Sequence, residues 1–478
     1  MANVNQQVES AHTAWLTYRN WSQDRIVELL LQIAIDLDSA KSQLVPVAMA
    51  ETQLTEVRLT GEVGRTTGQL RLMATAVRDS SYFDITIDHA DGSLTPPRPD
   101  LRMKSIPLGV VAIFGASNFP FAFGVAGGDT ASALAAGCAV VIKVNPGHPK
   151  VSRMVAAIMV AAARAVGAPD GLISIVEDFE EGTQLVQHPL ISAVAFTGST
   201  HGGRALFDLA NARENPIPFY GELGGLNPVF VTRAAASQNA KITAEGFLTS
   251  VTMGAGQFCT KPGFLVVDGA TELIEALGSL VPALPGQKLL NESIKNRHNQ
   301  IREEIAKVPG ISLIARNESE VDTAVTFYHI SASDFLVHRT LIQREVFGPT
   351  AVVIDCSGMA DLMAVARSFS GTLTSGIHAI EGDQANLSEL LSVLELISGR
   401  IIWNQWPTGL AVTWAMQHGG PYPASTNPLF TSVGAKALLR FRRPITYQNF
   451  PQADMPAPLQ DIAIETATAR INGVLGAD

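Results

Sequence analysis

Residues 256–263 read GQFCTKPG and place Cys259 between turn-forming glycines and a proline. A thiol is the side chain best suited to nucleophilic attack near neutral pH, since a few per cent is already thiolate there. Cysteine is more often a small buried hydrophobe, and this loop is not core-like. Four other loops carry residues that could serve such a nucleophile. GASNFP (115–120) offers Asn118, whose amide could donate to a developing negative charge, or which is an ordinary turn asparagine. KVNPGHP (143–149) offers Lys143, which could reach a ribose or phosphate, or simply snorkel from a sheet edge. FTGST (196–200) runs Gly198 and Ser199 into a helix, a phosphate-type turn that is neither GxGxxG nor a Walker loop. GELGGLNP (221–228) flanks Glu222 with glycines, so its carboxylate could act as a general base or be merely solvated beside a turn.

These loops need rigid elements to aim them. Residues 5–80 are rich in helix formers with apolar positions at three- and four-residue spacing. Residues 82–107 read as an exposed β-ribbon with a proline-rich turn. Beyond them LGVVAIF, CAVVIKV, LISIV and AVAFT are strands alternating with helices, among them FAFGVAGGDTASALAAG (121–137) and HPKVSRMVAAIMVAAARAVG. Such alternation implies α/β architecture with a parallel sheet covered on both faces. A second α/β region extends from about 233 to 425. The chemistry-bearing loops follow or precede strands, and ligands in open α/β sheets gather at the carboxyl ends.

Composition limits the function classes. The chain has 478 residues, 46% hydrophobic and 16% charged, with a formal charge of −10. That charge argues against a nucleic-acid or anionic-membrane partner. The three cysteines, Cys138, Cys259 and Cys356, lie far apart with no CxxC or Cys/His cluster. The pattern excludes a disulfide scaffold, gives no metal site, and points to a reducing compartment. Cys138 and Cys356 lie in apolar, strand-like contexts and are assigned to packing. The opening MANVNQQVES lacks the basic and apolar regions of a signal peptide, and Asn118 and Pro120 interrupt the uncharged run 105–128. The expectation is a cytoplasmic protein without membrane insertion.

The five loops in this order resemble the aldehyde dehydrogenase superfamily, and the resemblance covers nearly the whole chain. GAPDGLISIV (167–176), REVFGPTAVV (344–353) and WNQWPTGLAVTWAMQHGGPYPAST (403–426) support it. The last block is most similar to the bacterial branch of α-ketoglutaric semialdehyde and luminous-bacterial fatty aldehyde dehydrogenases. The resemblance implies a Rossmann-like NAD(P)-binding domain (1–81 and 108–225) and a catalytic domain (226–430). It also implies an oligomerisation ribbon (82–107 and 443–455) and a C-terminal tail (456–478), in a homodimer or homotetramer.

The resemblance also implies roles. Cys259 attacks the aldehyde, Asn118 and the Cys259 N–H bind the oxyanion, and Glu222 activates the water that hydrolyses the thioester. Lys143 and Glu345 match positions that hold the cofactor's ribose hydroxyls, Gly198 and Ser199 match the pyrophosphate turn, and Phe347 lines the nicotinamide side. His418 matches a histidine near the cofactor in the fatty aldehyde relatives, where support of the site and plain loop packing are both open. Many NAD-preferring relatives carry a glutamate where this chain has Pro146, so NADP is admitted beside NAD. The expected reaction is oxidation of an aldehyde to an acid, with α-ketoglutaric semialdehyde first and a medium- or long-chain fatty aldehyde as the alternative. A rival from another class is a thiol hydrolase pairing Cys259 with a histidine.

Overall fold

In the computed structural model, residues 3–319, 323–383, 387–464 and 469–475 are described. Four helices open the chain, α1 (Val4–Tyr18), α2 (Gln23–Ser39), α3 (Lys41–Thr52) and α4 (Glu56–Asp79). Side-chain caps from Asn3, Ser22 and Thr55 satisfy N–H groups at the starts of α1, α2 and α4. Along α4 the buried positions Leu59, Val63, Leu70, Met73 and Val77 recur at helical spacing, so one stripe faces the core.

Two short strands follow, β1 (Ile85–Asp88) and β2 (Leu101–Pro107), and then a run of five, β3 (Val110–Phe114), β4 (Ala139–Lys143), β5 (Ile173–Val176), β6 (Ile191–Thr197) and β7 (Phe219–Glu222). These five form one sheet in the order β5-β4-β3-β6-β7. Its pairings are all parallel. Every residue of β3 is buried, as expected of a parallel strand covered on both faces.

The next seven strands are β8 (Val229–Val231), β9 (Phe264–Asp268), β10 (Ser312–Arg316), β11 (Thr326–Ser331), β12 (Thr350–Cys356), β13 (Thr372–His378) and β14 (Ser398–Trp403). They build a second sheet, β10-β11-β12-β9-β8-β13-β14. Only its edge strand β10 runs antiparallel to its neighbour. A third sheet, β15-β2-β1-β16-β17, combines the early ribbon with β15 (Arg442–Gln448), β16 (Ala469–Ile471) and β17 (Val474–Leu475). Residues 469–475, placed by the sequence in a tail, therefore pair in the same sheet as β1, with β16 parallel to it.

Two sequence-based boundaries shift. The helix expected over 121–137 begins only at Gly128, after a compact turn. A Cβ on Gly124 would lie 2.0 Å from the Pro120 carbonyl oxygen, so the chain doubles back where only glycine fits. The Phe121 and Ala122 N–H groups in that turn donate to the buried Glu62 carboxylate at 2.8 and 3.0 Å instead of entering a helix. The sequence ranges also leave 431–442 outside any domain. Ala435, Ala437, Leu438 and Phe441 are buried in the core shared by α1–α4 and the five-stranded sheet. No described helix is long and apolar enough to cross a membrane.

Candidate active site

Glu222 is the last residue of β7, and Cys259 lies five residues before β9 begins. The turn into the cysteine is left-handed at three successive residues, with φ of 57° at Gly254, 59° at Ala255 and 68° at Gly256. The Gly256 Cα passes so close to the 345–349 loop that an added Cβ would lie 2.3 Å from the Gly348 carbonyl. Glycine is required there, and it brings the cysteine loop against the loop bearing Glu345 and Phe347.

His418 reaches the same point from the 403–426 segment. Its Nε2 lies 3.5 Å from Cys259 Sγ and 2.9 Å from Glu222 Oε1. Glu222 Oε2 accepts from the Ser432 hydroxyl at 2.6 Å, while Oε1 has no aligned hydrogen-bond donor among the described residues. Both side chains are buried, Glu222 with 4% and His418 with 1% exposure. The solvated glutamate that an isolated turn would suggest is thus absent.

The electrostatics follow from this enclosure. Burial pushes the Cys259 thiol well above its ordinary range, the Glu222 carboxylate pushes it further, and the Arg65 guanidinium opposes both. The resting sulfur is a thiol. Burial also works to raise Glu222, but His418, the Ser432 hydroxyl and the Cys259 thiol outweigh it, holding the carboxyl below its usual range. Glu222 therefore stays an anion, with Oε1 in ion-pair contact with His418 Nε2.

Asn118 is buried beside them, and its amide donates to the Gln257 carbonyl at 2.8 Å, which ties the loop after β3 to the cysteine loop. The sequence reading missed Asn227. Fully buried, it donates to the Cys259 and Lys261 carbonyls at 2.7 and 3.0 Å, and its oxygen accepts from Thr374. Its φ of 48° in GELGGLNP is a position asparagine tolerates better than most residues, the one signal that could have flagged it. Also unforeseen are Ser432 and Lys261, whose buried ammonium donates to the Val346 and Thr350 carbonyls at 2.8 and 2.7 Å. Burial lowers Lys261 to about 8 and raises Glu345 to about 7, each ion partly offsetting the other's shift. The Glu345 carboxylate lies against Gly224, where a Cβ would come within 2.6 Å of it.

Lys143, Pro146, Gly198 and Ser199 stand apart from this cluster, at the carboxyl ends of β4 and β6. Ser199 is exposed and caps the helix Thr200–Asn211 by accepting from the Gly202 N–H at 3.2 Å. Pro146 is exposed and presents no charge. Burial lowers the Lys143 ammonium, while the nearby carboxylates of Asp178, Glu181 and Glu177 hold it up. An ammonium, which donates to the Val144 carbonyl at 2.9 Å, and a helix N-terminus suit a sugar hydroxyl and a pyrophosphate, so these residues fit a dinucleotide.

Spacing alone gave no metal-type cluster, yet folding collects one: Glu222, Cys259 and His418 offer ligand-type atoms all within 4.8 Å of one another. Cys138 and Cys356 are 0% and 1% exposed and lie far from it in the two cores.

Residues 1–427 match the profile described as aldehyde dehydrogenase family. An α-ketoglutaric semialdehyde dehydrogenase 2 from Azospirillum brasilense is 40% identical over 469 residues, covering 96% of this chain and 89% of the relative. An α-ketoglutaric semialdehyde dehydrogenase from Acinetobacter baylyi is 40% identical over 483 residues, covering 99% and 91%. Among solved structures, 1-pyrroline-5-carboxylate dehydrogenase from Thermus with bound NAD superposes with a TM-score of 0.79 at 21% identity, over 93% of this chain and 85% of that one. The chain belongs to the aldehyde dehydrogenase family.

Proposed function

We propose that this aldehyde dehydrogenase oxidises α-ketoglutaric semialdehyde to 2-oxoglutarate with NAD or NADP as acceptor. The observation that carries the chemistry is the meeting of Cys259, His418 and the Glu222 carboxylate within 4.8 Å. The relatives that are 40% identical over nearly the whole chain support the substrate.

Cys259 Sγ attacks the aldehyde carbon as the thiol proton passes to the Glu222–His418 pair, whose Nε2 lies 3.5 Å from the sulfur. The Asn118 amide and the Cys259 N–H steady the oxyanion of the thiohemiacetal. NAD(P), when bound, would supply the hydride acceptor that turns the thiohemiacetal on Cys259 into a thioester. Lys143, Ser199 and Glu345 would hold its ribose and pyrophosphate groups, and Phe347 would line its nicotinamide side. Glu222, an anion paired with His418, then takes a proton from the water that hydrolyses the thioester.

The Cys259–His418 contact would also suit a thiol hydrolase, and one assay separates the two. Mixing the protein with α-ketoglutaric semialdehyde and NAD is expected to raise absorbance at the reduced-nicotinamide band. Thioester hydrolysis without any cofactor reduction would replace this reading by the hydrolase.

We further infer that the chain works in the cytoplasm as a homodimer or homotetramer assembled through the sheet containing β1, β2 and β15. Short ribbons of this kind are marginal unless their edges are covered. Light scattering that finds a monomer at micromolar concentration refutes the assembly.

A further inference from the structure

Helix α4 places Arg58, Glu62 and Arg65 on one face, at spacings of four and three residues. That face meets the aromatic wall beside Cys259. The Arg58 guanidinium lies 4.6 Å from the ring centres of both Phe119 and Phe258. The Arg65 guanidinium lies 5.4 Å from Phe119 and 5.3 Å from Phe123. Phe258 directly precedes Cys259, and the Phe123 ring is 6.3 Å from His418. Room for Arg58 exists because residue 254 is glycine, where a Cβ would lie 2.4 Å from Nη1.

Two cations held on aromatic faces next to the nucleophile lack acceptors. Arg58 uses Nη2 to donate to the Asn118 carbonyl at 2.7 Å, but its Nε and Nη1 are buried without a partner. Arg65 Nε and Nη2 are likewise buried and unpartnered. Glu62 attracts both and Glu222 attracts Arg65, but neither carboxylate hydrogen-bonds a guanidinium. Glu62 Oε1 is taken by the Phe121 and Ala122 N–H groups, and its Oε2 has no donor. Burial also pushes its carboxyl above the ordinary range, which weakens it as an internal counter-ion. Arg400 spends Nη2 on the Pro407 and Gly409 carbonyls and keeps only Nε buried without a partner.

We propose that Arg65, seconded by Arg58, is the carboxylate anchor of the substrate site and selects aldehydes that carry an acid at the far end of a short chain. Unpaired guanidinium N–H groups are best completed by a planar two-oxygen anion, which takes two parallel hydrogen bonds. A fatty aldehyde supplies no such group and would leave them buried and unmatched. In α-ketoglutaric semialdehyde the acid carbon lies four bonds from the aldehyde carbon, a reach of roughly 5 Å. The anchor rests on the aldehyde-oxidising reading of Cys259.

The test compares kcat/KM for α-ketoglutaric semialdehyde and for pentanal in the wild type, Arg65→Met and Arg65→Lys. The acid-to-pentanal ratio is expected to fall roughly 10²-fold in Arg65→Met, mainly through KM, and less in Arg65→Lys, which keeps the charge but loses the fork. Calorimetric binding of glutarate should weaken in parallel, with NAD binding as the check of folding. Equal losses on both aldehydes, or an unchanged ratio, overturn the anchor and make Arg65 a support of the thiol. If Arg65→Met fails to fold, the Arg65→Lys ratio decides, and no change in it overturns the anchor. A wild type that reduces NAD with neither aldehyde overturns the dehydrogenase reading, and the anchor with it.

Discussion

The two large sheets build the site from opposite ends of their strands. The five-stranded sheet contributes Asn118, Lys143, Ser199 and Glu222, which end or follow β3, β4, β6 and β7. The seven-stranded sheet contributes Asn227, Cys259, Lys261, Glu345 and Phe347, all of which precede β8, β9 or β12. Carboxyl ends of one sheet face amino ends of the other. The rule that α/β ligands gather at carboxyl ends fits the candidates on the first sheet and misses the proposed nucleophile, Cys259, beside the second. The difference suggests a division of labour. In the proposed reaction the second sheet supplies the reacting sulfur, with Lys261 and Glu345 near it, and the first supplies Asn118, Lys143 and the Glu222 carboxylate.

Removing the reacting atom should break that division most severely. Cys259→Ala is expected to lower steady-state turnover by about 10⁴-fold or more while NAD still binds, measured by cofactor reduction and by calorimetry. Appreciable turnover in this variant would place the nucleophile elsewhere.

Glu222→Gln, on the first sheet, should split the reaction instead of abolishing it. A burst of reduced cofactor close to one per site is expected, followed by a steady state lower by about 10²- to 10⁴-fold, with the acyl group on Cys259 visible by intact mass. A slowed burst in rapid mixing would move Glu222 to the first step. The same variant should quicken alkylation of Cys259 by iodoacetamide at pH 8. The carboxylate raises the thiol, so its removal lets the thiolate form at lower pH.

The remaining first-sheet charges should change cofactor choice rather than chemistry. Pro146 removes one carboxylate from beside Lys143, but Asp178, Glu181 and Glu177 restore negative charge there from the segment after β5. NAD is therefore expected to outperform NADP, whose extra phosphate these groups repel. Asp178→Asn, which keeps a side chain able to cap the following helix, should raise the NADP-to-NAD ratio of kcat/KM by about tenfold. An unchanged ratio would assign that discrimination to other residues.

The smallest effects belong to the cysteines outside the site. Cys138→Ala and Cys356→Ala each remove one buried sulfur and should cost about 1 kcal/mol of unfolding free energy by denaturant titration, with turnover kept. A large loss of activity in either would contradict their packing role.

Local chemistry made much of this legible before any coordinates. Apolar strands alternating with helices specify the α/β class, because hydrophobic period and turn residues act over a few neighbours. GQFCTKPG and GELGGLNP offered a thiol and a carboxylate between glycines, each with a bland reading when taken alone, and the five loops together carried the resemblance. Position 124 was harder to read. Its glycine looks like part of a small-residue helix, and only the carbonyl 2.0 Å from a would-be Cβ shows that it forces a turn.

The tertiary structure alone decided which of these residues meet. Cys259 and His418 are 159 positions apart and Ser432 and Glu222 are 210 apart, yet each pair is within hydrogen-bonding reach. Arg58 and Arg65 were not singled out in the sequence, and only the rings of Phe119, Phe123 and Phe258 packed against them set them apart. Sequence determines what each side chain can do, since pKa class, polarity and turn preference are local properties. Packing determines the state in which each acts, because burial and the nearest charge set protonation, and both come from distant parts of the chain.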